Sequence, residues 1–266
     1  MKLAKKLGGM AATCLLLPSL AFAEVIFVED FEDTLLSYTS SSSDALADIT
    51  RSDYYGVVSQ SQLPADVVYQ NHQGNYFYGV QDTDGALPTP QSQVTLTWQN
   101  INISQWHDLM LSWWLAEDTS RDGNEDMDGD SFFQIATQVD GLGYSPLFEV
   151  RSATGTNSAP RVDTDFDGFG DGQLITDVFS QFNREIMLGD TLDISVTFNK
   201  FNAGDEDFAF DHLMLVGSPK AQAVQAFEPP SWLLLLIPCM MMLSLKQTAP
   251  RVWNQVQLPG LTALYK

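Results

Sequence analysis

The chain has 266 residues, with 34 Asp and Glu against 13 Lys and Arg, for a formal net charge of −21. Every acid lies between Glu24 and Glu228, where only seven bases occur, so this stretch alone stands near −27. Such a field repels phosphate backbones, which removes nucleic acid as an expected partner and favours divalent cations.

In chain order, Lys2, Lys5 and Lys6 open the sequence, an apolar stretch follows over 7–17, and Ala21-Phe22-Ala23 supplies the small residues of a cleavage site. Basic start, apolar run and small-residue end together read as a secretory signal peptide over residues 1–23. Alternating apolar and polar residues then predict half-buried strands at 94–98 (Val94, Leu96, Trp98) and 192–198 (Leu192, Ile194, Val196, Phe198). Similar runs occur at 25–31, 76–80, 109–115, 132–139 and 208–216, while 37–48 is rich in serine and reads as a long loop. A helical period is admissible around 175–182 and nowhere else in this part. About nine strands in roughly 200 residues predict an all-β fold, a single two-sheet β-sandwich of jelly-roll type over 24–218. Cys14 falls in the signal and Cys239 in the apolar tail, so the sandwich has no disulfide, cysteine nucleophile or cysteine-zinc site. Its stability must come from its core, from metal, or from both.

A linker at 219–231 leads to an uncharged apolar run at 232–245, and a weakly basic tail fills 246–266. Fourteen residues are few for a membrane span, which takes about 17–25. Bases nevertheless flank both apolar segments, as expected of a cytoplasmic side. We therefore expect a C-terminal apolar helix that tethers the chain to a membrane.

Two turns carry the informative chemistry. The first is Asp163-Thr164-Asp165-Phe166-Asp167-Gly168-Phe169-Gly170-Asp171-Gly172. Asp163, Asp165, Asp167 and Asp171, with Gly168 at the sharp bend, match the front of a calcium loop, where alternate side chains converge on one ion. Leu174 stands where an EF-hand has its bidentate Glu, so a further ligand must come from elsewhere, with Asp177 a candidate. The second turn repeats the opening with Asn124, Asp126, Asp128 and Asp130 around Gly129. Two carboxylates about 6 Å apart repel by roughly 3 kcal/mol at an effective dielectric near 20. Several in one loop therefore call for a counterion, and oxygen donors without His or Cys select Ca²⁺. A third candidate pairs Glu32, just after the first strand, with Asp211, set among apolar residues of the last strand, because a buried carboxylate needs a partner or a metal.

Two resemblances follow from these residues. Phe227-Glu228-Pro229-Pro230-Ser231-Trp232 and the apolar run after it resemble the Pro-Glu-Pro sorting signal of bacterial surface proteins. That resemblance implies a sorting protease, an exosortase, as a partner, and a location in the periplasm or at the cell surface. From about 75 to 217 the chain resembles the accessory β-sandwich of bacterial secreted nucleases and, more loosely, calcium-binding carbohydrate modules. The segments 165–172, 174–176, 179–182, 191–194 and 206–211 carry the likeness. It implies a calcium-binding jelly roll without catalysis of its own.

His72, His107 and His212 are the only histidines, and no Gly-x-Ser-x-Gly, His-Glu-x-x-His or phosphate-binding glycine loop is present. No catalytic residue or organic cofactor is therefore assigned. Two function classes remain. One is a non-catalytic module for extracellular glycan or matrix, with Tyr54, Tyr55, Tyr76, Tyr78, Trp113 and Trp114 available to stack on sugars. The other is a jelly-roll glycoside hydrolase or polysaccharide lyase, using carboxylates with a base such as Arg151 or Lys200.

Overall fold

The 191–199 segment folds as its alternation dictates. Leu192, Ile194, Val196 and Phe198 are buried, while Asp193 and Ser195 stay part-exposed on the opposite face. The computed structural model describes residues 22–33, 36–118, 127–155 and 157–221. Residues 1–21 of the expected signal peptide, the apolar run 232–245, the basic tail, Asn124 and Asp126 lie outside the described residues. Among the described residues no helix is long and apolar enough to cross a membrane.

Among the described residues, thirteen strands make up two sheets. They are β1 (Glu24–Glu29), β2 (Thr39–Ser40), β3 (Ala45–Asp48), β4 (Asp53–Val58), β5 (Phe77–Gln81), β6 (Gln93–Asn102), β7 (Trp106–Ala116), β8 (Phe132–Val139), β9 (Ser145–Ser152), β10 (Pro160–Val162), β11 (Ser180–Glu185), β12 (Thr191–Asn199) and β13 (Asp207–Pro219). One sheet runs β11-β7-β13-β5-β4-β3 with β1 also on β13, and the other runs β10-β9-β8-β12-β6-β2. All named pairings are antiparallel. The chain is thus an all-β two-sheet sandwich, and it changes sheet at five of the seven steps from β6 to β13, with β8, β9 and β10 consecutive in one sheet.

Between the sheets lies an aromatic core that includes Trp98, Trp113, Phe133, Phe148, Phe198, Phe208 and Phe210. Trp113 meets Phe148 edge-on at 5.0 Å and stacks near Phe182 at 6.3 Å between centroids. A second apolar cluster, with Tyr54, Val58, Tyr69, Phe77, Ala209 and Phe179, contains residues of β4, β5 and β13 together with Leu63, Val67 and Tyr69 from the 59–76 connection. Leu63, Val67 and Tyr69 are buried there, so the connection is covered along its apolar side. Two short strands, β2 and β3, occupy the serine-rich 37–48 segment read as a loop.

The 175–182 segment is not helical. Ile175 and Phe182 belong to the core between the sheets, whereas Phe179 belongs to the second cluster. One helix face would have sent all three to a single side. Trp113 and Trp114 do point to opposite faces, Trp113 into the main core and Trp114 against the second cluster.

One relationship positions the site described next. β13 pairs first with β5, from Asp207↔Gln81 to Phe210↔Tyr78, and then with β1, from Leu213↔Glu29 to Gly217↔Glu24. The two partners therefore occupy successive stretches of β13, and Asp211 sits at the join. A bulge against β7 falls there, between Asp211 and Met214, with His212 at φ 51°. The extra residue lets Phe210 and Leu213 both face the core although an odd number of steps separates them.

Candidate cation sites

At the join on β13, the end of β1 and the approach to β5 meet. Asp211 is fully buried, and its Oδ2 accepts the Gln73 amide at 3.0 Å. Its Oδ1 is also buried and accepts no hydrogen bond among the described residues. Glu32, three residues beyond β1, accepts the Tyr76 amide at 2.8 Å and the amide and side chain of Asn75. The chain turns sharply to allow this, with Phe31 at φ 57°, Asn71 at φ 61° and Gly74 at φ 74°. A Cβ on Gly74 would fall 2.2 Å from Glu32 Oε1, so a larger residue there would displace that carboxylate besides taking a positive φ that favours glycine.

Burial drives the Asp211 carboxyl up to about 8; the amides of Gln73 and His212 oppose this, while repulsion from Glu32 and Asp30 adds to it. For Glu32, burial pushes upward, but the Tyr76 and Asn75 hydrogen bonds outweigh it and hold the carboxyl below its usual range. An orphaned buried carboxylate oxygen repelled by two neighbouring acids is the environment that a hard cation relieves. The donors are all oxygen, which fits Ca²⁺.

The second site is the 163–172 turn, which follows β10 directly. Asp163 is buried, and its two oxygens accept the amides of Phe166 at 2.7 Å and Gly168 at 2.8 Å. Phe166 at φ 60° and Gly168 at φ 96° make the curl possible. One oxygen each of Asp163, Asp165 and Asp167 then lies within 4.8 Å of the others. A carboxylate oxygen has two lone pairs, so an oxygen that accepts an amide can still face an ion. Burial and then repulsion from Asp167, Asp171 and Asp163 raise the Asp165 carboxyl.

The far side of this turn is fixed by packing. A Cβ on Gly170 would stand 2.5 Å from the Arg151 carbonyl oxygen, and one on Gly172 would stand 2.7 Å from Thr164 Cγ2. The Gly170 amide bonds Ser152 O at 3.0 Å and the Gly172 amide bonds Val162 O at 2.7 Å.

Not every acid read from the sequence joins these groups. Asp171 turns back to Thr164, accepting its amide at 3.0 Å and its hydroxyl at 2.8 Å, and these bonds lower its carboxyl. Asp177 accepts Gln70 Nε2 at 2.7 Å. Asp130 is ion-paired with Lys200, which holds it below the usual carboxylate range. The Asp128 amide bonds Glu206 Oε1 at 3.0 Å, so this turn is tied to the buried Glu206.

Sequence reasoning missed a further acidic cluster. Asp66, Asp118, Asp205 and Asp207 line a cavity of about 200 Å³. Asp207 Oδ1 accepts the Asp118 amide at 2.8 Å and the Tyr69 hydroxyl at 2.5 Å. These four acids are scattered from 66 to 207, so no local spacing announces them. The sugar-stacking residues also need correction: Tyr54, Tyr55, Tyr78 and Trp113 are fully buried, and of that set Tyr76 is the exposed one. Each is needed by one of the two apolar clusters.

No protein-family model matches the sequence, and no curated protein matches it. Solved structures of similar shape include the xylan-binding CBM22-1 domain from Paenibacillus barcinonensis Xyn10C, at 7% identity over 75% of this chain and 97% of that one, with a TM-score of 0.38. The K3 cleaved adhesin domain of Lys-gingipain from Porphyromonas gingivalis is 13% identical over 72% of this chain and 98% of that one, with a TM-score of 0.39. A cyclase from Fischerella sp. is 13% identical over 76% of this chain and 100% of that one, with a TM-score of 0.41. Matches with ligand-binding, adhesin and enzyme names at scores this low assign no function to this chain.

Proposed function

We propose that this protein is an exported, non-catalytic, calcium-binding β-sandwich that binds glycan or matrix outside the cell. The signal at 1–23 directs export, and the apolar run at 232–245 tethers the chain to a membrane in the periplasm or at the surface of a bacterium. A sorting protease acting near Glu228-Pro229 would release or re-anchor it.

The observation that carries the calcium reading is the buried, unpartnered Oδ1 of Asp211 beside a Glu32 already fixed by backbone amides. The Asp163, Asp165 and Asp167 oxygens supply a second, more exposed position. When bound, the ion would supply positive charge that offsets carboxylate repulsion at the turns. The bases that a hydrolase or lyase would draw on are committed. Arg151 is ion-paired with Glu149 and lies 4.4 Å over the Phe132 ring, and Lys200 is paired with Asp130.

Thermal unfolding with and without chelator tests the calcium reading. Saturation at ten times Kd raises stability by about 1.4 kcal/mol per site, so the melting temperature should fall when calcium is removed. An identical melt in both conditions would overturn it. Removing residues after 227 tests the tether, because the shortened chain should leave the membrane fraction.

A further inference from the structure

A groove lies between β1 and the β6–β7 hairpin of this acidic domain. It has a volume of about 630 Å³, and none of its lining residues is charged. Gln99, Asn100, Asn102 and Gln105 bring four carboxamides to it, and all four residues are exposed. Phe27, Ile101 and the part-exposed Trp106 supply apolar surface between them.

We propose that this groove binds a neutral oligosaccharide. The proposal rests on the glycan-binding reading above and names its site and ligand class. A carboxamide offers a donor and an acceptor in one plane, which matches the hydroxyl pairs of a sugar ring. The C–H faces of such a ring pack on aromatic and aliphatic surface. Without a charged side chain in the lining, a polyanion or a cationic peptide gains nothing there, whereas a neutral ligand escapes repulsion by the domain's charge. The volume is within the roughly 300–1,000 Å³ of ligand pockets.

The walls are set before any ligand arrives. Trp98 donates its indole N–H to Ser37 Oγ at 3.0 Å, and the Ser37 hydroxyl in turn donates to Glu29. Asn100 holds φ 59° while its amide donates to Asp193 Oδ1 at 2.7 Å. Asn102 Oδ1 accepts the Ser104 amide at 3.0 Å and hydroxyl at 2.8 Å, which fixes that side chain. The Asn102 side-chain Nδ2 and the side chains of Gln99 and Asn100 make no hydrogen bond among the described residues and stay available to a ligand. Preorganised polar groups lower the entropy cost of binding.

The test is affinity electrophoresis of the calcium-loaded full chain in detergent. The gels contain hydroxyethylcellulose, arabinoxylan or galactomannan as neutral polymers, and alginate or polygalacturonate as anionic ones. At least one neutral polymer should retard the wild type. Trp106→Ala should weaken that retardation at least tenfold. Asn102→Asp, which keeps the shape but replaces the Nδ2 donor with an acceptor oxygen, should weaken it too. Tyr144→Ala, in the β8–β9 turn, should leave it unchanged. If Trp106→Ala fails to fold, Asn102→Asp decides. Retardation by a neutral polymer that survives Asn102→Asp and Trp106→Ala, or retardation by anionic polymers alone, overturns the groove but leaves glycan binding standing. No retardation by any polymer overturns both.

Discussion

Asp211 in β13 and Glu32, three residues past the end of β1, hold the same loop. Asp211 Oδ2 accepts the Gln73 amide at 3.0 Å, and Glu32 Oε1 accepts the Tyr76 amide at 2.8 Å. The loop between them is pinned at both ends by carboxylates, one fully buried and one part-exposed. Their roles differ for that reason. Glu32 is already satisfied by amides, while Asp211 keeps one oxygen without a partner.

That difference sets the pH dependence. Without metal, Asp211 holds its proton up to about pH 8, whereas an aspartate in an unfolded chain ionises near ~3.9. The folded state therefore binds the extra proton between those values, and the contribution of this group to stability falls as pH rises through that window. Calcium needs the ionised form, so its stabilising effect should grow over the same window. Calorimetry at about pH 5 and about pH 8, with chelator or calcium, should show the larger calcium-dependent rise in melting temperature at the higher pH. Asp211→Asn should remove most of that difference.

Asp165→Asn should change sign with conditions. In chelator it should raise the melting temperature, because it removes one of the charges that crowd this turn. With calcium it should lower affinity at this loop about tenfold or more, through loss of a charged oxygen ligand. A fluorescent calcium-indicator competition measures the second effect. The same direction of change in both conditions would mean that the turn is not a cation site.

Gly74→Ala should destabilise the domain by about 1–3 kcal/mol, from positive φ and a displaced loop. The added Cβ meets Glu32 Oε1 at 2.2 Å, so Glu32 must move. Gly141→Ala, with φ 72° but nothing within 4 Å of the new Cβ, is the control. Denaturant unfolding should show Gly74→Ala to be the costlier change.

Trp113→Ala should cost about 3–5 kcal/mol in denaturant unfolding. The ring is fully buried against Phe148 and Phe182, and its removal leaves a cavity in the core between the sheets.

Much of the sandwich was legible because one face of each long strand is apolar. The strand at 132–139 was read with the bounds it has in β8, and 192–198 within one residue of β12 at each end. Strand β11 was not legible, since Ile175, Phe179 and Phe182 imitate a helical spacing while serving two different cores. Asp163, Asp165 and Asp167 were legible from local spacing, which the turn preserves. Asp171 and Asp130 share that spacing but found closer partners in Thr164 and Lys200. The Asp66, Asp118, Asp205 and Asp207 cavity and the amide groove were invisible in sequence, because tertiary folding alone assembles them. The aromatic residues were read by type, and type does not tell burial: Tyr54 and Tyr55 look like sugar platforms and are core.

Isothermal titration of Ca²⁺ into the chelator-stripped full chain addresses the metal directly. Saturable binding of more than one ion is expected, with Asp211→Asn and Asp165→Asn each removing a separate part of the heat. A flat titration, from a chain that is fully folded in chelator and melts at the same temperature with added Ca²⁺, would contradict calcium binding at either place.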